Sequence, residues 1–133
     1  MMMTEKGTNR QPQLRVLLAD AHTKVRSALR LVLEQQPGLQ ILGEAVDATG
    51  VSDWLRAVCP DVILLDWELP GGNLAHLVSE LRHECPAMAV IVLSSRPEAA
   101  HAATNAGAHA FVSKGGPPEQ LLTTLHHLRA HAP

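Results

Sequence analysis

The sequence has no excess of positive charge and no apolar run long enough to cross a membrane. Lysine and arginine number 11 against 13 aspartate and glutamate residues, so the formal net charge is −2. This balance gives no electrostatic reason to expect direct binding to nucleic acid or to an anionic membrane. The opening stretch, MMMTEKGTNRQPQ, also lacks the apolar segment of a secretory signal. We therefore expect a cytoplasmic protein that binds neither nucleic acid nor membrane.

Cysteine is scarce as well. The chain has 2 cysteines, Cys59 and Cys85, and each precedes a proline. They do not form the CxxC spacing that is typical of metal or redox sites. This pattern predicts two reduced, inert cysteines, as is usual in the cytosol.

The composition is that of one globular domain. Of 133 residues, 46% are apolar and 18% are charged. A chain of this size buries a hydrophobic core without the help of metals or disulfides. We expect a flexible tail over residues 1–13 and one domain over residues 14–131, with no internal repeat.

Short apolar runs alternate along the chain with stretches of helical spacing. Most of the runs are rich in Val, Ile and Leu and are apolar on both faces, which favours buried strands of a parallel sheet. The predicted strands are 14–19, 39–45, 61–66, 89–94 and 110–113.

The stretches between these strands place apolar residues on one helical face. The stripes are Val25, Leu29 and Val32; Val51, Leu55 and Val58; Leu74, Leu77, Val78 and Leu81; and Leu121, Leu125 and Leu128. Residues 97–105 are helical by alanine content but have almost no large apolar residue, so we expect a weakly anchored helix that ends at Gly107. Strands alternating with helices predict an α/β fold, a doubly wound parallel sheet of five strands.

Four polar residues stand at or just after the ends of predicted strands: Asp20, Asp66, Ser94 and Lys114. In open parallel sheets, ligands bind beyond the carboxyl ends of the strands. Two carboxylates, a hydroxyl and an ammonium at one such edge suggest phosphoryl transfer, with Asp66 as the nucleophile that forms an acyl phosphate. Asp20 would help to hold Mg²⁺, while Lys114 and Ser94 would bind the phosphoryl oxygens.

The segments VLLADAHTKVRSALR, DVILLDWELPGG, VIVLSS and GAHAFVSKG resemble, in order, the motifs of bacterial two-component response-regulator receiver domains. The stretch HTKVRSALRLVLEQQPGLQILGEA is most similar to the subgroup that precedes a LuxR/NarL-type helix-turn-helix output domain. The resemblance implies a flavodoxin-like, CheY-like (βα)5 fold with strand order 2-1-3-4-5. It also implies that Asp66 is the phosphoacceptor, Asp20 an acidic-pocket residue, Ser94 the switch hydroxyl, Lys114 the pocket lysine and Phe111 the switch aromatic.

One pocket residue departs from the family pattern. Receivers usually carry two consecutive acids after the first strand, and here the second position is Ala21. Asp20 and Asp66 against Lys114 leave a net charge of −1 instead of −2, so we expect weakened Mg²⁺ binding. Glu68, whose backbone carbonyl stands at a metal-binding position, restores the missing charge if its side chain turns inward; the alternative is a solvated carboxylate.

Other residues have plainer interpretations. His22 is expected to play a supporting or surface role, not to bind metal. His127 and His131 share a helix face, but nearby acids or cysteines that would complete a metal site are missing. Trp54 and Trp67 are predicted to be packing residues. Because Gly115 follows Lys114 where many receivers have a cis proline, we expect a trans bond there.

The sequence leaves three functional hypotheses. In the first, the chain accepts phosphate from a sensor histidine kinase and the surface of the fourth helix, fifth strand and fifth helix switches homodimerisation or an output domain that regulates transcription. The partner domain would lie outside this chain, and no enzymatic activity is expected beyond self-catalysed phosphoryl transfer. The second is a pseudo-receiver, an interaction module with an idle pocket. The third is a phosphohydrolase, which is disfavoured because such enzymes have an aspartate where Glu68 stands.

Overall fold

The computed structural model describes residues 13–130, so the predicted tail at residues 1–12 and the end of the predicted domain at residue 131 lie outside the described residues. Strands and helices alternate along this range. The strands are β1 (Leu14–Ala19), β2 (Leu39–Ala45), β3 (Val62–Asp66), β4 (Ala89–Ser94) and β5 (Ala110–Ser113). The helices are α1 (Thr23–Glu34), α2 (Ala48–Ala57), α3 (Leu74–Glu84), α4 (Ala99–Ala106) and α5 (Pro118–Ala130).

The strands form one parallel sheet in the order β2-β1-β3-β4-β5. This confirms the predicted fold class and the strand order implied by the family resemblance. Some boundaries differ by little: β3 begins at Val62, α2 ends at Ala57, and α4 covers Ala99–Ala106 where 97–105 was predicted. Val58, which the periodicity placed in the second helix, has extended backbone after that helix because the chain must turn toward Pro60.

The sheet separates two hydrophobic cores. On β3, Val62 and Leu64 pack with residues of α1 and α5, while Ile63 and Leu65 pack with residues of α2, α3 and α4. The interior of β3 is buried on both faces, as its continuous apolar run predicts. The functional residues can therefore lie only where the strands end.

Trp54 packs as predicted. Its indole N–H donates to the carbonyl of Glu44 at 3.1 Å. Its ring lies against Gly43 of β2, so closely that a Cβ on Gly43 would overlap the ring. Glycine at position 43 thus leaves room for Trp54 of α2 to pack against the edge strand β2.

The prediction of reduced cysteines is wrong. Cys59, just after α2, and Cys85, at the end of α3, form a disulfide with a Cα–Cα distance of 5.8 Å. The CxxC criterion missed the pair because the two residues are 26 positions apart in the sequence. They come together because α2 and α3 are neighbours that both end at the amino edge of the sheet.

Helix α4 is weakly anchored to the sheet, as its alanine-rich sequence predicts. Its buried residues are Ala99 and Ala103, and it ends at Gly107, whose φ of 115° is in the left-handed region. The capping role predicted for Gly107 is therefore confirmed. Within residues 13–130, none of the helices is both long and apolar enough to span a membrane.

Candidate functional site

The carboxyl edge of the sheet brings together the four side chains selected from the sequence. Asp20 follows β1, Asp66 ends β3, Ser94 ends β4, and Lys114 follows β5. Asp20, Asp66 and Ser94 are buried, with at most 1% of each residue exposed. Polar side chains this deeply buried need partners.

Lys114 bridges the two carboxylates. Its ammonium lies 2.8 Å from Oδ2 of Asp20 and 3.0 Å from Oδ1 of Asp66. Its backbone N–H also donates to the carbonyl of Ser94 at 3.0 Å, which fixes the lysine beside the end of β4. Burial opposes the charge on Lys114, but hydrogen bonds with the carboxylates outweigh burial and raise its pKa. The lysine is therefore a fixed positive charge at this edge.

Asp20 is held ionised by its neighbours. Burial acts to raise its pKa, but hydrogen bonds from Lys114 and His22 together lower it. Oδ1 of Asp20 accepts from the backbone N–H of His22 at 2.8 Å. The carboxylate can therefore serve as an anionic ligand at neutral pH.

One oxygen of Asp66 is free. Oδ1 accepts from the backbone N–H of Glu68 at 3.0 Å and faces Lys114. Oδ2 is fully buried and has no hydrogen-bond partner among the described residues. An unpartnered buried carboxylate oxygen is costly, and it indicates a position where a cation or a reacting group binds.

Ala21 is exposed and contributes no ligand, whereas the next side chain reaches the pocket. Nδ1 of His22 lies 2.9 Å from Oδ1 of Asp20 and 4.0 Å from Oδ2 of Asp66. One ligand atom from each of these three residues lies within 4.8 Å of the other two. The donor set therefore fits a divalent cation.

The side chain of Glu68 contacts Arg96 and Ser94 at the pocket mouth. Its Oε2 accepts from Nη2 and Nε of Arg96 at 2.6 and 2.9 Å, and its Oε1 accepts from Oγ of Ser94 at 3.4 Å. The backbone N–H of Arg96 donates to the same Ser94 hydroxyl at 3.0 Å. Arg96 was not predicted at the site, although its position two residues after Ser94 places it near the end of β4.

The two aromatic residues near the site are partly buried. Phe111 and Trp67 both pack against the core on the side of α2, α3 and α4, as a packing role for Trp67 predicts. The backbone N–H of Trp67 also donates to the carbonyl of Leu93 at 2.9 Å. Trp67 directly follows Asp66 and can report on binding there.

Two further sequence predictions concern the peptide bond at Gly115 and the histidines near the end of the chain. The described peptide bonds are all trans, so the bond at Gly115 is trans as expected. That His127 and His131 share a helix face without forming a metal site stays a prediction, because residue 131 lies outside the described range.

The chain is similar to known regulators. A family model of the response regulator receiver domain matches residues 16–126. Response regulator UvrY of Escherichia coli O6:H1 is 30% identical over 114 residues, which cover 84% of this chain and 52% of UvrY. The chain thus spans about half the length of this curated relative.

Solved structures give the same result. A LuxR-family two-component response regulator from Aurantimonas sp. SI85-9A1 matches with a TM-score of 0.81 at 28% identity, covering 89% of this chain and 86% of that one. The isolated receiver domain of RcsB from Salmonella enterica serovar Typhimurium, determined in the presence of the phosphomimetic BeF3⁻, matches with a TM-score of 0.82 at 27% identity over 90% of each chain. Together with the fold and the pocket, these similarities show that the chain belongs to the response regulator receiver domain family.

Proposed function

We propose that this receiver is a phosphorylatable switch, in which Asp66 accepts a phosphoryl group from a sensor histidine kinase. The observation that carries the proposal is the placement of the Lys114 ammonium, 2.8 Å from Asp20 and 3.0 Å from Asp66 at the edge of the sheet. The free Oδ2 of Asp66 supports it, since a carboxylate must have an oxygen available to act. We assign residues 14–131 to this functional unit.

The reaction follows from the positions of these charges. One oxygen of Asp66 attacks the phosphorus, the bond from phosphorus to the kinase imidazole breaks, and the imidazole nitrogen keeps the electron pair. Lys114 transfers its hydrogen bonds from the carboxylates to the phosphoryl oxygens and offsets their charge. Asp20 would help to hold a divalent cation, Mg²⁺ in typical receivers, whose charge would offset the negative charge of the phosphoryl oxygens. The loss of an acid at Ala21 weakens that binding.

The switch begins at Ser94. Its hydroxyl is now shared between the Glu68 carboxylate and the backbone N–H of Arg96. The Glu68 carboxylate is already paired with Arg96, whereas a phosphoryl group on Asp66 offers an acceptor with more negative charge. Ser94 therefore turns toward it, and Phe111 moves inward behind it. The surface of α4, β5 and α5 then changes shape and controls homodimerisation or a LuxR/NarL-type DNA-binding output domain outside this chain. The presence of BeF3⁻ in the RcsB structure supports this mode of activation.

The test is direct phosphorylation of the purified chain. With Mg²⁺ and acetyl phosphate, intact-mass spectrometry should show the addition of one phosphoryl group. Asp66→Asn should abolish the addition, and Asp53→Asn, which alters an exposed aspartate on α2, should retain it. Failure of the wild-type protein to gain phosphate or to respond to beryllofluoride would favour the pseudo-receiver, which the relatives do not support. Multiple turnovers of a phosphate ester would favour a hydrolase.

A further inference from the structure

The pocket holds an imidazole close to the place where the second acid is missing. His22 lies at the amino end of α1 with extended backbone, φ −91° and ψ 115°. Its backbone N–H is bound to Oδ1 of Asp20 at 2.8 Å, so the main chain folds the histidine back over the strand end. The ring therefore faces the two carboxylates, although its side chain is 63% exposed on the other side.

The distances suit a shared cation. Nδ1 of His22 is 2.9 Å from Asp20 and 4.0 Å from the free Oδ2 of Asp66. Ligand atoms around a transition-metal ion at about 2.1 Å are separated by roughly 3–4 Å, so small side-chain movements bring all three onto one ion. The unpartnered Oδ2 of Asp66 is buried and faces this position, which indicates where the ion sits. The exposed side of the ring leaves room for water ligands.

We propose that His22 replaces the missing carboxylate as the third side-chain ligand, and that the pocket therefore prefers a borderline divalent metal such as Co²⁺ over Mg²⁺. This inference rests on the proposed function, since it concerns the cation of the same site. Mg²⁺ takes oxygen ligands, whereas imidazole suits transition metals. The hydrogen bond between Nδ1 and Asp20 is lost on binding, and the ring carries its proton on the exposed Nε2.

The charge balance agrees with this assignment. A neutral imidazole leaves the pocket at one net negative charge from Asp20, Asp66 and Lys114. A bound divalent ion makes that charge positive by one, which suits an incoming phosphoryl group. A third carboxylate, by contrast, would make the loaded pocket neutral. His22 thus supplies a ligand without adding a negative charge.

The experiment compares metals on the full chain. Binding of Mn²⁺, Co²⁺ and Mg²⁺ is followed by Trp67 fluorescence in a Trp54→Phe background. We expect the protein to bind Co²⁺ at least tenfold more tightly than Mg²⁺. His22→Gln should weaken Co²⁺ binding at least tenfold, while His76→Ala, an exposed histidine on α3, should not. Ala21→Asp should strengthen Mg²⁺ binding and so reduce the difference in affinity between Co²⁺ and Mg²⁺.

A spectroscopic measurement separates ligation from structural support. Pulsed electron paramagnetic resonance of the Mn²⁺-loaded protein should show coupling to imidazole nitrogen, and His22→Gln should remove that coupling. Absence of nitrogen coupling in the wild-type protein, or equal binding of Mg²⁺ and Co²⁺, would overturn the inference. Phosphorylation of Asp66 with Mg²⁺ would then still uphold the proposed function. Conversely, nitrogen coupling without phosphorylation would uphold the metal site and reject the switch.

Discussion

Glu68 and Arg96 form a close ion pair at the mouth of the acidic pocket, with Oε2 of Glu68 2.6 Å from Nη2 of Arg96. The sequence left open whether the Glu68 carboxylate turns inward to replace the acid missing at Ala21. The side chain contacts Arg96 and the Ser94 hydroxyl, so its negative charge is offset by a guanidinium. The pocket therefore gains no free third carboxylate from Glu68.

Removal of Arg96 should strengthen cation binding. In Arg96→Ala the carboxylate of Glu68 loses its counter-charge and attracts a divalent ion, so we expect about two- to fivefold tighter Mg²⁺ binding at low salt. The Mg²⁺ affinity is measured by titration of Trp67 fluorescence in a Trp54→Phe background. The double variant Glu68→Gln/Arg96→Ala should return close to wild-type affinity, and Arg56→Ala on the exposed face of α2 should have no effect. Weaker binding by Arg96→Ala would contradict this account.

At the scale of elements, two connections depend on residues far apart in the sequence. His109, between α4 and β5, accepts the backbone N–H of Val90 on its Nδ1 at 2.9 Å. It also donates its own backbone N–H to the carbonyl of Val90 at 2.8 Å. At the other end of the sheet, the disulfide of Cys59 and Cys85 joins the ends of α2 and α3. Loss of either connection should lower the stability of the fold.

The His109 connection should make stability depend on pH. Burial and then the charge of Arg82 lower the pKa of His109, and the Val90 hydrogen bond requires an unprotonated Nδ1. A lowered pKa stabilises the fold above the ordinary histidine pKa, and this contribution is lost as pH falls through the lowered value. The loss should stay below about 1 kcal/mol, because His109 is exposed to solvent and water screens its charge. Urea unfolding from about pH 7.5 to about pH 5 measures it.

A matched pair of variants isolates the contribution of His109. His109→Ala should lose stability at neutral pH and show a smaller decline on acidification than the wild-type protein. His76→Ala, an exposed histidine on α3, should keep the wild-type profile. Parallel declines in wild-type and His109→Ala proteins would show that other groups cause the pH dependence.

Loss of the disulfide should reduce stability. The bond closes a loop with a sequence separation of 26 and so restricts the unfolded chain. By loop-closure entropy, Cys59→Ser/Cys85→Ser should lower the free energy of unfolding by about 3 kcal/mol under non-reducing conditions. Urea unfolding is the measurement. Reductant should lower the stability of the wild-type protein and leave the double variant unchanged; a wild-type protein insensitive to reductant would contradict the prediction.

At the scale of the whole molecule, the helices that cover the sheet are anchored unequally. Helix α3 buries Leu77, Val78 and Leu81, whereas α4 buries two alanines. Burial of large aliphatic side chains is the main source of helix anchoring. Local opening should therefore cost less free energy at α4 than at α3, and α4 forms part of the surface proposed to switch.

Hydrogen exchange tests this difference between helices. Backbone amides of α4 should exchange at least tenfold faster than those of α3, which serves as the internal reference. Mass spectrometry of peptides covering both helices provides the comparison. Beryllofluoride should then alter exchange in α4 more than in α3 if the pocket communicates with this surface. Equal protection of the two helices would show that α4 is not the loosely held element.

Local patterns alone predicted the strands, the approximate positions of the helices and the order of elements, because apolar periodicity reflects burial. The approach of Asp20, Asp66, Ser94 and Lys114 to one edge was also predictable, since the carboxyl ends of parallel strands meet there. The replacement of the second pocket acid by Ala21 was also visible in the sequence. These properties depend on neighbours in sequence or on general topology.

The tertiary structure decided what each side chain contacts. The disulfide, the turn of Glu68 toward Arg96 and the approach of His22 to two carboxylates each join residues from different elements, or depend on the conformation of a loop. Periodicity does not encode the direction of an exposed side chain, because several rotamers are compatible with the same backbone. The sequence therefore determined that Asp20, Asp66, Ser94 and Lys114 reach the carboxyl edge of the sheet. Only packing decided which charges there remain free to bind a cation.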